Sequence, residues 1–335
     1  MYWDFIAIFL LSFFLIFMIK KYAVQIGLID IPNERSTHIN HTPSGAGIGF
    51  FLSVAIVSPF FYFELLSSYP WTLVAITLIF IIGVLDDHHD TSPNTKFIII
   101  MVSTILLSFD DIIISDIGTF FGTALSLGWF ALPFTIFAVV GFTNALNLID
   151  GLDGLSASIS IIILATFYVI GYQNDDMFML LVSGAFIATL LAFLCFNWHP
   201  ASIFMGDSGS LTLGFVIALL AVKSLAYIPA ISVLFVAAIP IIDTIIVMVR
   251  RKLEGRSMFS ADKGHVHHIM RGFFSDTTPK TVIFLAMLQS IYSFVGLQLD
   301  REIDEGYLLL FFLLNIALLY LFFGAMLKKQ NNHSS

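Results

Sequence analysis

Carboxylates, amides and histidines gather in four short polar stretches, each set between long apolar runs. In GVLDDHHD, Asp86 and Asp87 close an apolar run, and Asp90 follows Asp86 by four residues, one turn away if the helix persists. Adjacent carboxylates repel, and beside lipid they are costly unless a cation or a base compensates them. Mg2+ suits such a place because it takes hard oxygen ligands and draws phosphate oxygens into its shell. The plainer alternative is a solvated helix end that carries three acids. In NALNLIDGLDGLSA, Asn144, Asn147 and Asp150 recur every three residues, Asp153 follows, and Gly151 and Gly154 permit close backbone approach. Such a polar row has no packing purpose in lipid; it fits a substrate cavity, a set of helix caps or a cation site.

The third stretch, NWHPASIFMGDSGSL, offers Asp207 as a metal ligand before a run of small residues, and Phe204 as a flat surface for a base or sugar. A membrane-interface aromatic is the other reading of Phe204. The fourth, RRKLEGRSMFSADKGHVHHIM, combines basic residues with His265, His267 and His268, a set able to bind phosphate or diphosphate, with arginine suited to bidentate contacts. Taken alone, the three histidines suggest zinc, and Arg250, Arg251 and Lys252 suggest an anchor to anionic lipid. Carboxylates and amides dominate the other stretches and no thiolate cluster accompanies them, which favours Mg2+.

The elements that must position these residues are membrane helices. The chain is 335 residues long with 58% hydrophobic and 11% charged residues and 36 phenylalanines, and its mean hydropathy is +0.95. A water-exposed surface cannot be built from that composition. Apolar segments lie at about 4–19, 45–66, 70–85, 97–115, 122–142, 155–172, 178–196, 209–222, 226–249, 279–299 and 306–327, so the expected fold is an all-α polytopic membrane protein with about eleven spans. Pro229 and Pro240 inside the ninth segment predict a kink, whose freed backbone groups neighbouring helices must satisfy. The lone cysteine, Cys195, reads as a small buried hydrophobe. The expected organisation is one domain over 1–335, a motif-bearing core at about 20–280 and a frayed polar tail at 328–335.

Of the fifteen lysines and arginines, all but Lys223 and Arg301 fall in loops and ends of one side, which marks that side as cytoplasmic. The N-terminus is then outside, the C-terminus inside, and all four polar stretches lie in cytoplasmic loops. A net charge of -8 without a long basic run argues against nucleic acid as a partner.

Taken together, the stretches resemble the polyprenyl-phosphate N-acetylhexosamine-1-phosphate transferase family over roughly residues 20–280. The resemblance rests on Asp86-Asp87 followed by Lys96, the Asn144/Asn147/Asp150/Asp153 row, Asn197 and Phe204 through Asp207, and Asp243 before Arg250 with the His265/His267/His268 loop. The opening PNERSTHINHTPSGAGIGF is similar to the first cytoplasmic loop of the WecA/WbpL branch, although Ser44, Ala46 and Ile100 replace an Arg, a Gly and a Gln common there. The resemblance implies transfer of a sugar-1-phosphate from a UDP-HexNAc donor to undecaprenyl phosphate at the cytoplasmic face of a bacterial inner membrane, with Mg2+ or Mn2+, and it is compatible with a homodimer. It implies Asp207 as metal ligand, with Asp86 and Asp87 handling metal or activating the lipid phosphate. Asn144, Asn147, Asp150, Asp153, Asn197 and Phe204 line the nucleotide pocket by the same resemblance, and Lys96, His265, His267 and His268 bind or position phosphate.

The implied chemistry is attack by a lipid phosphate oxygen on the β-phosphorus of the donor, with UMP leaving. Direct transfer is the first reading and a covalent aspartyl-phosphate the second. The expected product starts O-antigen, capsule or a related surface glycan, from a GlcNAc, GalNAc, FucNAc or QuiNAc donor. A phospho-N-acetylmuramoyl-pentapeptide transferase is the alternative within the family. A transporter or a noncatalytic scaffold would explain the hydrophobicity but not the Asn/Asp row.

Overall fold

The computed structural model describes residues 2–31, 41–257 and 264–334; most of the PNERSTH loop, with Arg35, and Lys263 in the histidine loop lie outside the described residues. In chain order the elements are α1 (Tyr2–Ile26), β1 (Ile29–Asp30), β2 (Thr42–Pro43), α2 (Gly47–Ser67), α3 (Pro70–His89), α4 (Pro93–Leu107), β3 (Asp116–Phe120) and β4 (Thr123–Ser126). They continue with α5 (Ala131–Ile149), α6 (Leu155–Gln173), α7 (Met177–Asn197), α8 (Gly206–Ser224), α9 (Ala230–Val236), α10 (Ala238–Leu253), α11 (Val266–Phe273), α12 (Thr278–Gln298) and α13 (Glu305–Ser334). Among the described residues ten helices are long and apolar enough to cross a membrane, and α9 with α10, bent by 87° at their junction, make an eleventh if counted as one span. The protein is a multi-pass helical membrane protein, as composition requires.

Burial ranks the helices. In α7 and α8, 78% of the most apolar window is buried inside the protein, against 22% in α1 and α13, so the first two form the centre and the last two face lipid. Large apolar side chains such as Phe60, Phe63 and Phe137 stand exposed around the outside, where a bilayer covers them. Helix α8 packs along α3, α5 and α2. At Gly83 the approach of α3 to α8 is so close that a Cβ would lie 2.5 Å from the Ser208 Cα. Small residues permit such backbone contact within membranes, and here it sets the last turn of α3 against the first turn of α8. Helix α4 starts at Pro93 with Ser92 accepting the Thr95 N–H, which places Lys96 in the opening turn, beside α3.

The kink expected from the prolines is a full break. Pro240 has no N–H to offer the carbonyl of Val236, four residues earlier. That carbonyl instead accepts from Gln289 Nε2 at 2.7 Å and from Ser293 Oγ at 3.1 Å, while Gln289 Oε1 accepts the Ile239 N–H at 3.0 Å. One fully buried amide on α12 thus satisfies both backbone groups the break exposes. Gln289→Leu leaves the Ile239 N–H without its acceptor in an apolar interior, and a loss of about 1–3 kcal/mol is expected. A thermal unfolding midpoint in detergent that does not fall would contradict this role.

Three expectations change. The fifth apolar run does not begin a span at 122: β3 and β4 pair antiparallel there, turning at Phe121 and Gly122, both at positive φ, and the span runs over 128–149. Hydropathy registers the apolar residues of the hairpin but not its turn. Cys195 is exposed on α7, its thiol directed to the Leu191 carbonyl, rather than buried. Helix α13 continues through the polar tail to Ser334.

Candidate active site

The ends of α1, α3, α5 and α7 meet the start of α8 around a cavity of about 650 Å³. Asp86, Asp87, Asn147, Asp150, Asp153, Asn197, Phe204, Asp207 and His268 all line it. Four stretches distant in sequence therefore converge at one end of the bundle, the end toward which Lys20 and Lys21 lie in the last two turns of α1.

Asp207 is the centre of this arrangement. It sits in the first turn of α8, after Gly206 at φ +72°, where a Cβ would also lie 2.6 Å from Asp87 Oδ2. Asp87 accepts the Asp207 N–H at 2.6 Å and the Ser208 N–H at 3.1 Å, one on each carboxylate oxygen. A carboxylate on the first free N–H groups of a helix is favourable both as a cap and against the helix dipole. Asp87 thereby fixes the backbone that carries Asp207. Asp207 Oδ2 accepts from Lys96 Nζ at 2.7 Å, and its Oδ1 accepts from Asn147 Nδ2 at 3.0 Å. Lys96 also reaches Asp86 Oδ2 at 2.7 Å, while Asp86 Oδ1 holds the backbone and hydroxyl of Thr91. Lys96 does not line the cavity but bridges two carboxylates that do.

The opposite wall is tied together by amide and carboxylate side chains. Asn197 Oδ1 accepts the Gly154 N–H at 2.8 Å and its Nδ2 donates to the Ile203 carbonyl at 2.9 Å. Asp153 Oδ2 accepts from His199 Nδ1 at 2.7 Å and from the Ala201 N–H at 3.0 Å. Both residues thus clasp the loop after α7 to the turn after α5. Phe204 is held through its backbone, its N–H donating to the Pro43 carbonyl at 2.8 Å and its carbonyl accepting the Ala46 N–H at 3.1 Å. The first loop in this way presents the aromatic ring at the cavity.

Asp86, Asp87, Asp150, Asp153 and Asp207 outnumber the neighbouring cations. Asp150 is hemmed in by protein, and burial, followed by the charges of Asp207, Asp153 and Asp87, pushes its carboxyl up to about 7. That uncompensated negative charge, with all-oxygen donors, suits a hard divalent cation. Among the described residues the tight three-ligand grouping is Asp243, His265 and His267, which includes none of these acids. Mg2+ needs no such cage, because it keeps waters and takes one or two carboxylates together with phosphate oxygens.

The remaining expectations divide. Asn144 is exposed on α5, one turn before Asn147, and does not line the cavity. His265 and His267 are buried behind the wall, and His268 faces the cavity. Ser210, His199 and Asp243 are partners that the motifs did not single out as site residues; an acid inside a membrane segment, as Asp243 is, was the available signal.

A larger cavity, about 890 Å³, lies at the other end of the bundle. Three of its charged groups hold backbone ends: Asp110 accepts the Thr72 N–H, Glu305 the Ala230 and Ile231 N–H groups, and Arg301 donates to the Leu225 carbonyl. Among the described residues it has no counterpart of the Asp207 centre.

The model of the family described as Glycosyl transferase family 4 matches residues 69–225, from the start of α3 to just past α8. That stretch contains Asp86, Asp87, Lys96, the Asn/Asp row and Asp207. A probable undecaprenyl-phosphate N-acetylglucosaminyl 1-phosphate transferase of Bacillus subtilis is 35% identical over 263 residues, 76% of this chain and 73% of the relative. The undecaprenyl-phosphate alpha-N-acetylglucosaminyl 1-phosphate transferase of Yersinia pestis is 31% identical over 94% of this chain and 89% of its own length. Its counterpart in Escherichia coli K12 is 29% identical over 93% and 88%.

Proposed function

We propose that this chain, which belongs to glycosyl transferase family 4, transfers a HexNAc-1-phosphate from a UDP-sugar to undecaprenyl phosphate. The products are undecaprenyl-diphosphate-sugar and UMP, and the step initiates a cell-surface glycan. The observation that carries this reading is the position of Asp207. It stands at the start of α8, braced by Asp87, Lys96 and Asn147, in an acid-lined cavity at the ends of membrane helices. The excess of Lys and Arg at that end supports a cytoplasmic active site in a bacterial inner membrane, with the N-terminus outside.

Asp207 and Asp86 are the proposed holders of Mg2+, which would neutralise the diphosphate and favour departure of UMP. Lys96, between them, keeps the two carboxylates apart and in register. The lipid phosphate is already largely anionic near neutral pH, so Asp86 needs at most to take a residual proton. Phe204 presents its ring to the uracil, and His268 meets the phosphate side. Asn147 orients Asp207, and the Asn197 and Asp153 clasps keep the nucleotide wall closed.

The test is transfer by purified, lipid-reconstituted protein with undecaprenyl phosphate, Mg2+ and a panel of UDP-HexNAc donors, the lipid product being detected by mass. Absence of product from every donor, beside an active control enzyme, would sink the proposal. Within this assay, Phe204→Ala is expected to raise the KM for the UDP-sugar by about 5- to 100-fold, the worth of one base–aromatic stack. The KM for the lipid should hold; an equal rise in both would contradict the stacking role.

A further inference from the structure

The three histidines of the HVHH stretch occupy three different environments. His265 is 6% exposed, and its Nδ1 lies 2.7 Å from Oδ2 of Asp243, a carboxylate of α10 that is itself 2% exposed. The other oxygen of Asp243 accepts the Val266 N–H at 2.5 Å, the first N–H of α11. His265 precedes α11 without capping it through its own side chain, so the cap is supplied across space by α10. His267, 2% exposed, lies under the turn after α5, where a Cβ at Gly151 would come within 2.6 Å of its Nε2. Its Nδ1 has no hydrogen-bond partner among the described residues, and burial pushes the imidazole down to about 3, so the ring is neutral. Of the three, His268 lines the cavity.

We propose that His265 and His267 are positioning residues and that His268 is the histidine of this stretch that meets substrate. Asp243 acts through the His265 Nδ1–H and the Val266 N–H to fix the first turn of α11, and hence the height of His268 at the cavity rim. His267 fills the space beneath Gly151 and supports the turn that carries Asp150. A buried carboxylate is tolerated because two donors meet it, and removing either should loosen the loop more than a surface contact would.

The proposal rests on the cavity being the active site, and the test separates the two ideas. An asparagine amide nitrogen falls near the position of a histidine Nδ1, whereas a glutamine amide nitrogen falls near Nε2. His265→Asn should therefore keep the bond to Asp243 and retain more than roughly one third of transfer, while His265→Gln and Asp243→Ala should each lose at least about 20-fold. Amide hydrogen exchange over residues 266–273 should rise in His265→Gln and Asp243→Ala but stay at the wild-type level in His265→Asn. His268→Ala should cost about tenfold or more in transfer with that exchange unchanged. Equal loss in His265→Asn and His265→Gln with unaltered exchange would overturn the proposal, because Nε2 would then be the working atom. One zinc per purified chain, lost in Asp243→Ala, would also overturn it by making Asp243, His265 and His267 ligands. An inactive wild type would remove the reading of the cavity, yet the exchange comparison would still decide the Asp243–His265 pair.

Discussion

Asp207→Asn is expected to lower transfer about a thousandfold, the scale at which a preorganised electrostatic group acts in a water-poor site, while the protein stays folded. Asparagine keeps the size of the side chain and leaves the α8 N-terminus on Asp87. What it removes is the negative charge at the point where Lys96 and Asn147 converge. With that charge gone, Lys96 is shared with Asp86 alone and the cavity loses its central anionic ligand. The check is an initial rate at matched protein amounts, beside an unfolding midpoint close to wild type. Wild-type turnover in the variant would end the role assigned to Asp207.

Asp87→Ala is expected to fail differently. Two N–H groups at the start of α8 lose their acceptor, which should cost about 2–4 kcal/mol of stability. The first turn of α8 then shifts, and a displacement of order 1 Å at a reacting centre costs about 100-fold in rate. Activity and unfolding midpoint should fall together, because both carboxylate oxygens of Asp87 accept backbone N–H groups of α8. A variant that is inactive yet as stable as wild type would contradict the capping role and return Asp87 to direct metal handling. The contrast with Asp207→Asn, inactive but stable, is what separates an anchor from a ligand.

Much of this site was legible in the sequence, for physical reasons that can be named. Acids and amides are too costly in lipid to persist without a purpose, so Asp86, Asn147, Asp150 and Asp207 stood out, and the bias in Lys and Arg assigned their loops to one side. The spans followed from composition, since roughly twenty apolar residues are needed to cross a bilayer. What sequence could not convey was the path of the backbone. Asn144 shares the three-residue spacing of Asn147, yet it lies a turn farther from the end of α5 and outside the cavity lining. The 116–126 hairpin is apolar enough to pass as part of a span. Asp243 meets His265 across 22 positions because α10 turns away from α9. Gln289 likewise reads as one polar residue in an apolar helix until the break it satisfies is seen.

The central claim is that the bond broken lies between the two phosphates of the donor, so that the sugar leaves with a phosphate attached. The most direct measurement uses donor labelled at the β-phosphorus, reconstituted protein, undecaprenyl phosphate and Mg2+, and follows both the label and the nucleotide released. The account predicts that the label enters the lipid product in a one-to-one ratio with UMP, and that neither appears when lipid or divalent cation is withheld. Release of UDP, with the label left on the nucleotide, would mean transfer of the sugar alone and would contradict the account.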